Sequence, residues 1–174
     1  MSKAVMLSIR PKWVEKIASG EKTIEVRKTR PKMNTPFKCY IYCTLQGCNE
    51  FFRVDLGRDV AKWNRGKWAD RKGKVIGEFT CDRIDRLTPA DGPYGIYDIG
   101  DDYVLQTCLE NGALWDYGHG IPLYGWHISD LRIYDTPREL SEFTGLRNTR
   151  FGAAPYDIKR PPQSWCYVEA MKDE

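Results

Sequence analysis

Alternation of apolar and polar residues in short segments is the feature that most limits the folds open to this chain. In residues 37–44 every second position is apolar, and these positions are Phe37, Cys39, Ile41 and Cys43. Successive side chains of a strand point to opposite faces, so the pattern predicts a strand with one buried face. Residues 74–84 and 124–134 alternate in the same way. We therefore expect a sheet that buries one face and exposes the other.

The remaining segments add further strands and short helices. Strands are predicted over 5–9, 22–28 and 164–170, and helices from Pro11 to the stop at Gly20, over 102–110, and through 137–143. Asn111-Gly112 is expected to end the second helix, and Thr136-Pro137-Arg138-Glu139 to cap the third. Residues 145–162 contain Gly, Pro and Asn and are interpreted as a loop. About six strands and three helices predict an α+β, mostly β fold, a small barrel with helices packed outside.

The length of 174 residues predicts one domain, 1–174, with a core that needs no disulfide or metal. No segment approaches the roughly 20 apolar residues of a membrane span, and no signal-peptide core is visible, so we expect a cytoplasmic protein. Cys39, Cys43 and Cys48 are spaced C-x3-C-x4-C, unlike common zinc sites, and are interpreted as small apolar residues. We expect no metal and no cofactor.

The charge distribution is strongly asymmetric. Residues 1–72 contain 17 Lys and Arg against 7 Asp and Glu, whereas residues 73–174 contain 10 against 17. Such a split indicates a surface in the first half that faces a polyanion, or two halves that neutralise each other in space. Within the basic half, residues 62–72 interleave two Trp with five basic residues, which is typical of a loop that contacts nucleic acid. The phosphate-contacting candidates of that loop are Lys62, Arg65 and Lys67.

The segment from Gly20 to Arg27 has the pattern G-x-K-x-x-E-x-R. Gly20 permits a sharp turn from helix to strand, and Glu25 and Arg27 lie two apart on one strand face. They are expected either to form a surface ion pair or to offer a ligand one acceptor and one planar donor. Glu accepts hydrogen bonds from amino groups of bases such as cytosine, and Lys22 and Arg27 suit phosphate.

This motif, in its strand, helix, turn and strand context, resembles the ASCH domain family of the PUA-like superfamily. Residues 125–131 also resemble the late barrel strand of the family, whereas residues 46–72 and about 90–120 look like insertions. The resemblance implies a PUA-like β-barrel with a cleft beside the signature strand and a role in RNA binding. A few members are enzymes that act on N4-acetylcytidine or RNA. Amidohydrolase members share Lys22 but carry a nucleophilic Thr where this chain has Glu25, which argues against that chemistry.

The predicted RNA-binding residues extend beyond the motif. Trp126, His127 and Trp165 are candidate stacking or hydrogen-bonding residues, although barrel packing explains a Trp or a structural His equally simply. The full predicted set is Ser8, Arg10, Lys22, Glu25, Arg27, Lys28, Lys62, Arg65, Lys67, Trp126, His127, Gln163, Ser164 and Trp165. If the protein is an enzyme, Lys22 and Glu25 are the expected catalytic residues.

Three functions are compatible with these features. The first is a monomeric module that binds RNA or a modified nucleotide and does not contact a membrane. The second is a hydrolase acting on a nucleobase amide or an RNA phosphodiester, with Lys22 stabilising negative charge. The third is a phage-derived protein-interaction module.

Overall fold

A computed structural model describes residues 2–45, 71–92 and 94–172 of the chain. In chain order, the elements are β1 (Lys3–Ile9), α1 (Pro11–Ala18), β2 (Ile24–Arg27), β3 (Phe37–Cys43), β4 (Val75–Leu87), α2 (Asp101–Thr107), α3 (Asn111–Gly118), β5 (Leu123–Arg138), a 3-10 turn (Leu140–Glu142), β6 (Thr144–Thr149), β7 (Gly152–Asp157) and β8 (Trp165–Glu169). Within the described residues, none of the helices is long and apolar enough to cross a membrane.

The strands are ordered β2-β5-β4-β3-β1-β8-β6-β7 in a mixed sheet. β1 pairs with β3 in parallel and with β8 antiparallel. The α+β, mostly β class is therefore confirmed, but the predicted six-stranded barrel is wrong. The sheet of the described residues has eight strands and two edges, β2 and β7, so it does not close.

The chain divides into two compact units that share β4 and β5 as continuous strands. Unit one comprises Met1–Glu15, Lys38–Phe79 and Arg132–Glu174, and unit two comprises Lys16–Phe37 and Thr80–Leu131. The sequence prediction of one domain over 1–174 stays a prediction.

The core of unit one lies on one face of β1, β3 and β8. Ala4, Met6, Tyr40 and Val168 are fully buried there, because alternate positions of the paired strands point to the same side. Tyr40 also anchors the end of the chain, since its hydroxyl accepts the main-chain N–H of Met171 at 2.8 Å. Apolar alternation thus sets the register of this unit.

Unit two packs α2 and α3 against β2 and β5. Its apolar cluster comprises Val26, Leu87, Tyr97, Leu114 and Leu123. The Asn111 side chain fixes the start of α3, because its Oδ1 accepts the N–H of Tyr97 at 2.6 Å and its Nδ2 donates to the Tyr97 carbonyl at 3.2 Å. The helices therefore sit on the face of β2 that carries Val26.

Two segments differ from the sequence predictions. Asn111-Gly112 does not end helical structure but begins α3, since the side chain of Asn111 bonds Tyr97 instead of terminating the previous helix. The predicted helix over 137–143 is also wrong. β5 continues to Arg138. A capping box is present, but Glu139 and Glu142 form it in a single 3-10 turn, three residues after the predicted box of Thr136 and Glu139.

The predicted loop over 145–162 is largely a hairpin of β6 and β7. Pro155 lies in β7, which is an edge strand, so its missing N–H removes no bond from an inner ladder. Of the two expected insertions, 90–120 contributes α2 and α3 in full. All but Arg71 and Lys72 of 46–72 lies outside the described residues.

Candidate functional site

The G-x-K-x-x-E-x-R segment connects α1 to β2 through a tight turn. Gly20 has a φ of +82°, a conformation that glycine adopts without steric cost. After the turn, the N–H of Lys22 donates to the Lys16 carbonyl at 2.9 Å, and that of Thr23 donates to the Gln106 carbonyl at 2.9 Å. Two hydrogen bonds therefore fix the main chain at Lys22 and Thr23, directly before β2.

Lys22, Glu25 and Arg27 form a buried ionic network, named here the charged cluster. Lys22 Nζ lies 3.4 Å from Glu25 Oε2, and Arg27 Nη2 lies 2.9 Å from Glu25 Oε1. The three residues are only 2%, 6% and 7% exposed, respectively. Glu25 and Arg27 form the ion pair that was one of the two expected arrangements. The pair was expected at the surface, but both residues are buried.

The end of α2 positions Lys22. Lys22 Nζ donates to the Thr107 carbonyl at 2.6 Å, and Thr107 is itself fully buried. A carbonyl in the last turn of a helix is a natural partner for a cation, because it lacks an intrahelical donor. The predicted insertion therefore supplies part of the site that the motif begins.

β5 lies antiparallel to β2 and brings Trp126 opposite Glu25. Trp126 is fully buried and packs edge-on against Phe37, with ring centroids 5.8 Å apart. This is the core packing that the sequence left as an alternative. Trp126 therefore presents no ring face on which a nucleobase could stack.

Tyr117 and Lys28 form the more accessible side of the site. Tyr117, from α3, is 38% exposed, and Lys28 Nζ lies 4.9 Å from the centroid of its ring. Burial of the phenol oxygen raises the pKa of Tyr117, while the nearby Arg27 lowers it and Glu25 raises it. Tyr117 thus lies within electrostatic range of the charged cluster and keeps part of its ring in solvent.

His127 belongs to a different group of charges. Its Nε2 lies 2.6 Å from Asp85 Oδ2, and Arg83 Nε lies 3.1 Å from Asp85 Oδ1. Arg83 Nη2 also lies 3.0 Å from His127 Nε2, so this ring nitrogen lies between a carboxylate and a guanidinium. The Tyr103 ring flanks His127 edge-on at 6.3 Å. No local pattern around His127 indicated Asp85 or Arg83 as its neighbours.

The pairing of Asp85 predicts a specific pH dependence of stability. Burial raises the pKa of this carboxyl, but hydrogen bonding to His127 and the charge of Arg83 outweigh it, so the pKa is lowered. A lowered carboxyl pKa stabilises the fold above the unfolded value of about 3.9, and this contribution is lost as pH falls through the lower folded value. We expect Asp85→Asn to reduce stability at pH 6, with the difference from wild type shrinking as the pH falls below about 4. Urea unfolding across this range measures the difference, and a difference independent of pH would contradict the assignment.

The other predicted residues of unit one lie at the ends of β1 and β8. Ser8 Oγ donates to the Pro162 carbonyl at 2.6 Å, and its main-chain N–H donates to the Ser164 carbonyl at 3.0 Å. Gln163 and Arg10 are exposed, and Trp165 is half-buried. The structure therefore brings Ser8, Ser164 and Trp165 together in unit one.

The basic loop candidates Lys62, Arg65 and Lys67 lie outside the described residues. In the described parts of the chain, no group of three or more His, Cys, Asp or Glu side chains could hold a metal ion.

Sequence reasoning missed Thr107 and Tyr117. Leu114 and Gly118 are the buried residues of α3. No local sequence pattern places this helix beside Arg27. Both missed residues come from a segment that carries no part of the motif.

Comparisons with known proteins agree with this architecture. Residues 7–55 match the ASCH domain family model. The crystal structure of ASCH from Zymomonas mobilis is similar, with a TM-score of 0.58 and 18% identity over 95% of this chain and 87% of that one. Structures of two single-residue variants of the same protein have TM-scores of 0.54 and 0.55, with 18% and 19% identity over 95% of this chain and 90% and 88% of theirs. A search of curated proteins found no match.

The matched region contains the complete G-x-K-x-x-E-x-R segment, and the structural likeness extends over nearly the whole chain. The sequence resemblance and the observed fold therefore agree: residues 7–55 match the ASCH domain, and the fold is similar to that of the solved ASCH structures.

Proposed function

We propose that this domain binds RNA or a modified nucleotide, as a monomer and away from membranes, at the charged cluster of Lys22, Glu25 and Arg27. The observation that carries the proposal is the burial of these charges. Removing ions from water costs several kcal/mol for each ion, and apolar residues of similar volume often stabilise a fold at least as well. Retaining the cluster at this cost is better explained by a ligand than by packing.

The chemistry of the cluster suits a nucleobase. A carboxylate has about four acceptor positions, and in the described residues Glu25 directs one oxygen to Lys22 and the other to Arg27. Both oxygens keep a further lone pair that accepts from an exocyclic amino group such as that of cytosine. The two cations hold the carboxylate in a fixed orientation, which favours recognition of a base edge over nonspecific attraction.

Tyr117 and Lys28 suit the remainder of a nucleotide. A base approaching from the exposed part of the Tyr117 ring would stack on it, and Lys28 would contact the phosphate. This arrangement places stacking and charge neutralisation on the accessible side and base recognition on the buried side.

The stacking role of Tyr117 provides the test of the proposal. Stacking on an aromatic ring contributes about 1–3 kcal/mol per base, so we expect Tyr117→Ala to weaken binding of a short RNA about 5- to 100-fold. Tyr117→Phe keeps the ring and should bind within about twofold of wild type. Fluorescence anisotropy with a panel of short RNAs and modified nucleosides, at several salt concentrations, measures both variants. Equal loss in both variants, or binding insensitive to salt, would contradict the proposal.

A hydrolase is the second candidate, and the contact between His127 and Asp85 favours it. A carboxylate that fixes one nitrogen of a His leaves the other oriented to exchange a proton. Mass spectrometry of the same RNA and nucleoside panel after incubation distinguishes the two, because a binding module leaves every compound intact.

A further inference from the structure

Strand β8 in unit one carries a pair of aromatic rings. Trp165 and Tyr167 lie two residues apart and point to the face opposite the buried Val168. Their ring centroids are 5.3 Å apart with an interplanar angle of 76°, and both side chains are half-buried. Adjacent strand aromatics of this kind provide a fixed platform with part of its area in solvent.

A cation is held against this platform by the neighbouring strand. Lys3 Nζ of β1 lies 4.7 Å from the centroid of the Tyr167 ring, and it also donates to Asn148 Oδ1 of β6 at 3.3 Å. The Lys3 ammonium group therefore lies between the aromatic pair of β8 and the end of β6, and it contacts both.

The turn of that hairpin adds a second pairing of a ring with a cation. Phe151 is 86% exposed, and the Arg150 guanidinium lies 4.6 Å from the centroid of its ring. Arg147, Asn148 and Thr149 at the end of β6 are exposed as well. The segment thus combines an exposed ring, cations and an amide, and it contains no acidic residue from 147 to 151.

We propose that these residues form a second contact surface for single-stranded RNA, named the β8 surface and comprising Lys3, Asn148, Arg150, Phe151, Trp165 and Tyr167. Proteins that bind single strands combine aromatic rings for bases with cations for the backbone, and Tyr167 and Phe151 each have a cation beside them. Bases stack on Phe151 and Tyr167, while Lys3 and Arg150 neutralise phosphates. This charge arrangement favours a polyanion over an apolar protein partner. The inference rests on the proposed function for the class of ligand but uses different residues.

The test measures binding of the full chain to a fluorescein-labelled 12-nucleotide oligouridine by anisotropy. We expect Phe151→Ala, and separately Arg150→Gln with Lys3→Gln, to weaken binding at least about fivefold, and Phe151→Trp to retain it. Tyr94→Ala is the matched control, because Tyr94 is an exposed aromatic (82%) outside the β8 surface. Phe151 is so exposed that its replacement should leave thermal unfolding unchanged, so folding does not confound the result.

The outcomes separate this inference from the proposed function. If the β8 variants bind like wild type while Tyr117→Ala binds more weakly, the β8 surface is refuted and the charged cluster stands. If Tyr94→Ala weakens binding as much as Phe151→Ala, the β8 surface is refuted as well. If wild type binds no oligouridine but binds a modified nucleoside, only the β8 surface fails, and if it binds neither, both proposals fail.

Discussion

Glu25→Ala is expected to lower the free energy of unfolding by about 3–5 kcal/mol, because it removes the carboxylate shared by two buried cations. Lys22 and Arg27 are 2% and 7% exposed, so little water reaches the two cations to replace the lost partner. Urea unfolding at neutral pH measures the change.

A matched exposed pair provides the control for this prediction. Lys16 Nζ lies 2.9 Å from Glu21 Oε2, with side chains that are 40% and 61% exposed. Glu21→Ala removes a carboxylate at a similar distance from a cation, but in full contact with solvent, and should change stability little. Similar losses in Glu25→Ala and Glu21→Ala would show that burial does not govern the energetics of the charged cluster.

Apolar replacement of the whole cluster is expected to separate folding from binding. The triple variant Lys22→Met, Glu25→Leu, Arg27→Met removes every buried charge of the cluster and keeps similar side-chain volumes. Such replacements are often neutral or stabilising by about 1–4 kcal/mol, so the variant should unfold at a urea concentration equal to or above that of wild type. Its affinity for RNA should fall at least about 100-fold, since about 3 kcal/mol of specific contacts is lost.

Two outcomes of the triple variant would contradict this account. A folded triple variant that binds RNA normally would show that the charged cluster is not the binding site. A triple variant that fails to fold would show that the charges are needed for structure, and the burial argument for function would lose its basis.

The strands near the motif could be predicted because their signals are local. Pro11 and Gly20 set the start and end region of α1, and alternation over residues 37–44 identified β3 within one residue. Strand geometry also placed Glu25 and Arg27 on one face, where an ion pair was one of the two expected arrangements.

Partners contributed by distant segments could not be predicted. Thr107 is 85 residues from Lys22, and its contribution is a main-chain carbonyl, which no side-chain pattern reveals. Tyr117 reaches the site only because α3 packs on β2, and α3 itself was hidden by an Asn-Gly pair that usually signals a stop. The hairpin of β6 and β7 was missed for a related reason, since Pro155 is tolerated only because topology puts β7 at an edge.

The depth at which individual side chains are buried also could not be predicted from the sequence. Alternation predicts which positions share a face but not how deeply a neighbouring strand and helix cover them. Trp126 was therefore a candidate for stacking, and Glu25 a candidate for a surface pair, until the structure showed both inside unit two. The sequence showed the motif, and the structure showed how deeply its charged residues are buried.

Photocrosslinking tests most directly whether RNA lies at the charged cluster. A short RNA containing 4-thiouridine is bound to the wild-type chain, irradiated and digested, and the crosslinked peptides are identified by mass spectrometry. The account predicts crosslinks in peptides that contain Tyr117 or Lys28, and their loss in the triple apolar variant. Crosslinks that avoid both residues, or that persist unchanged in the triple variant, would contradict it.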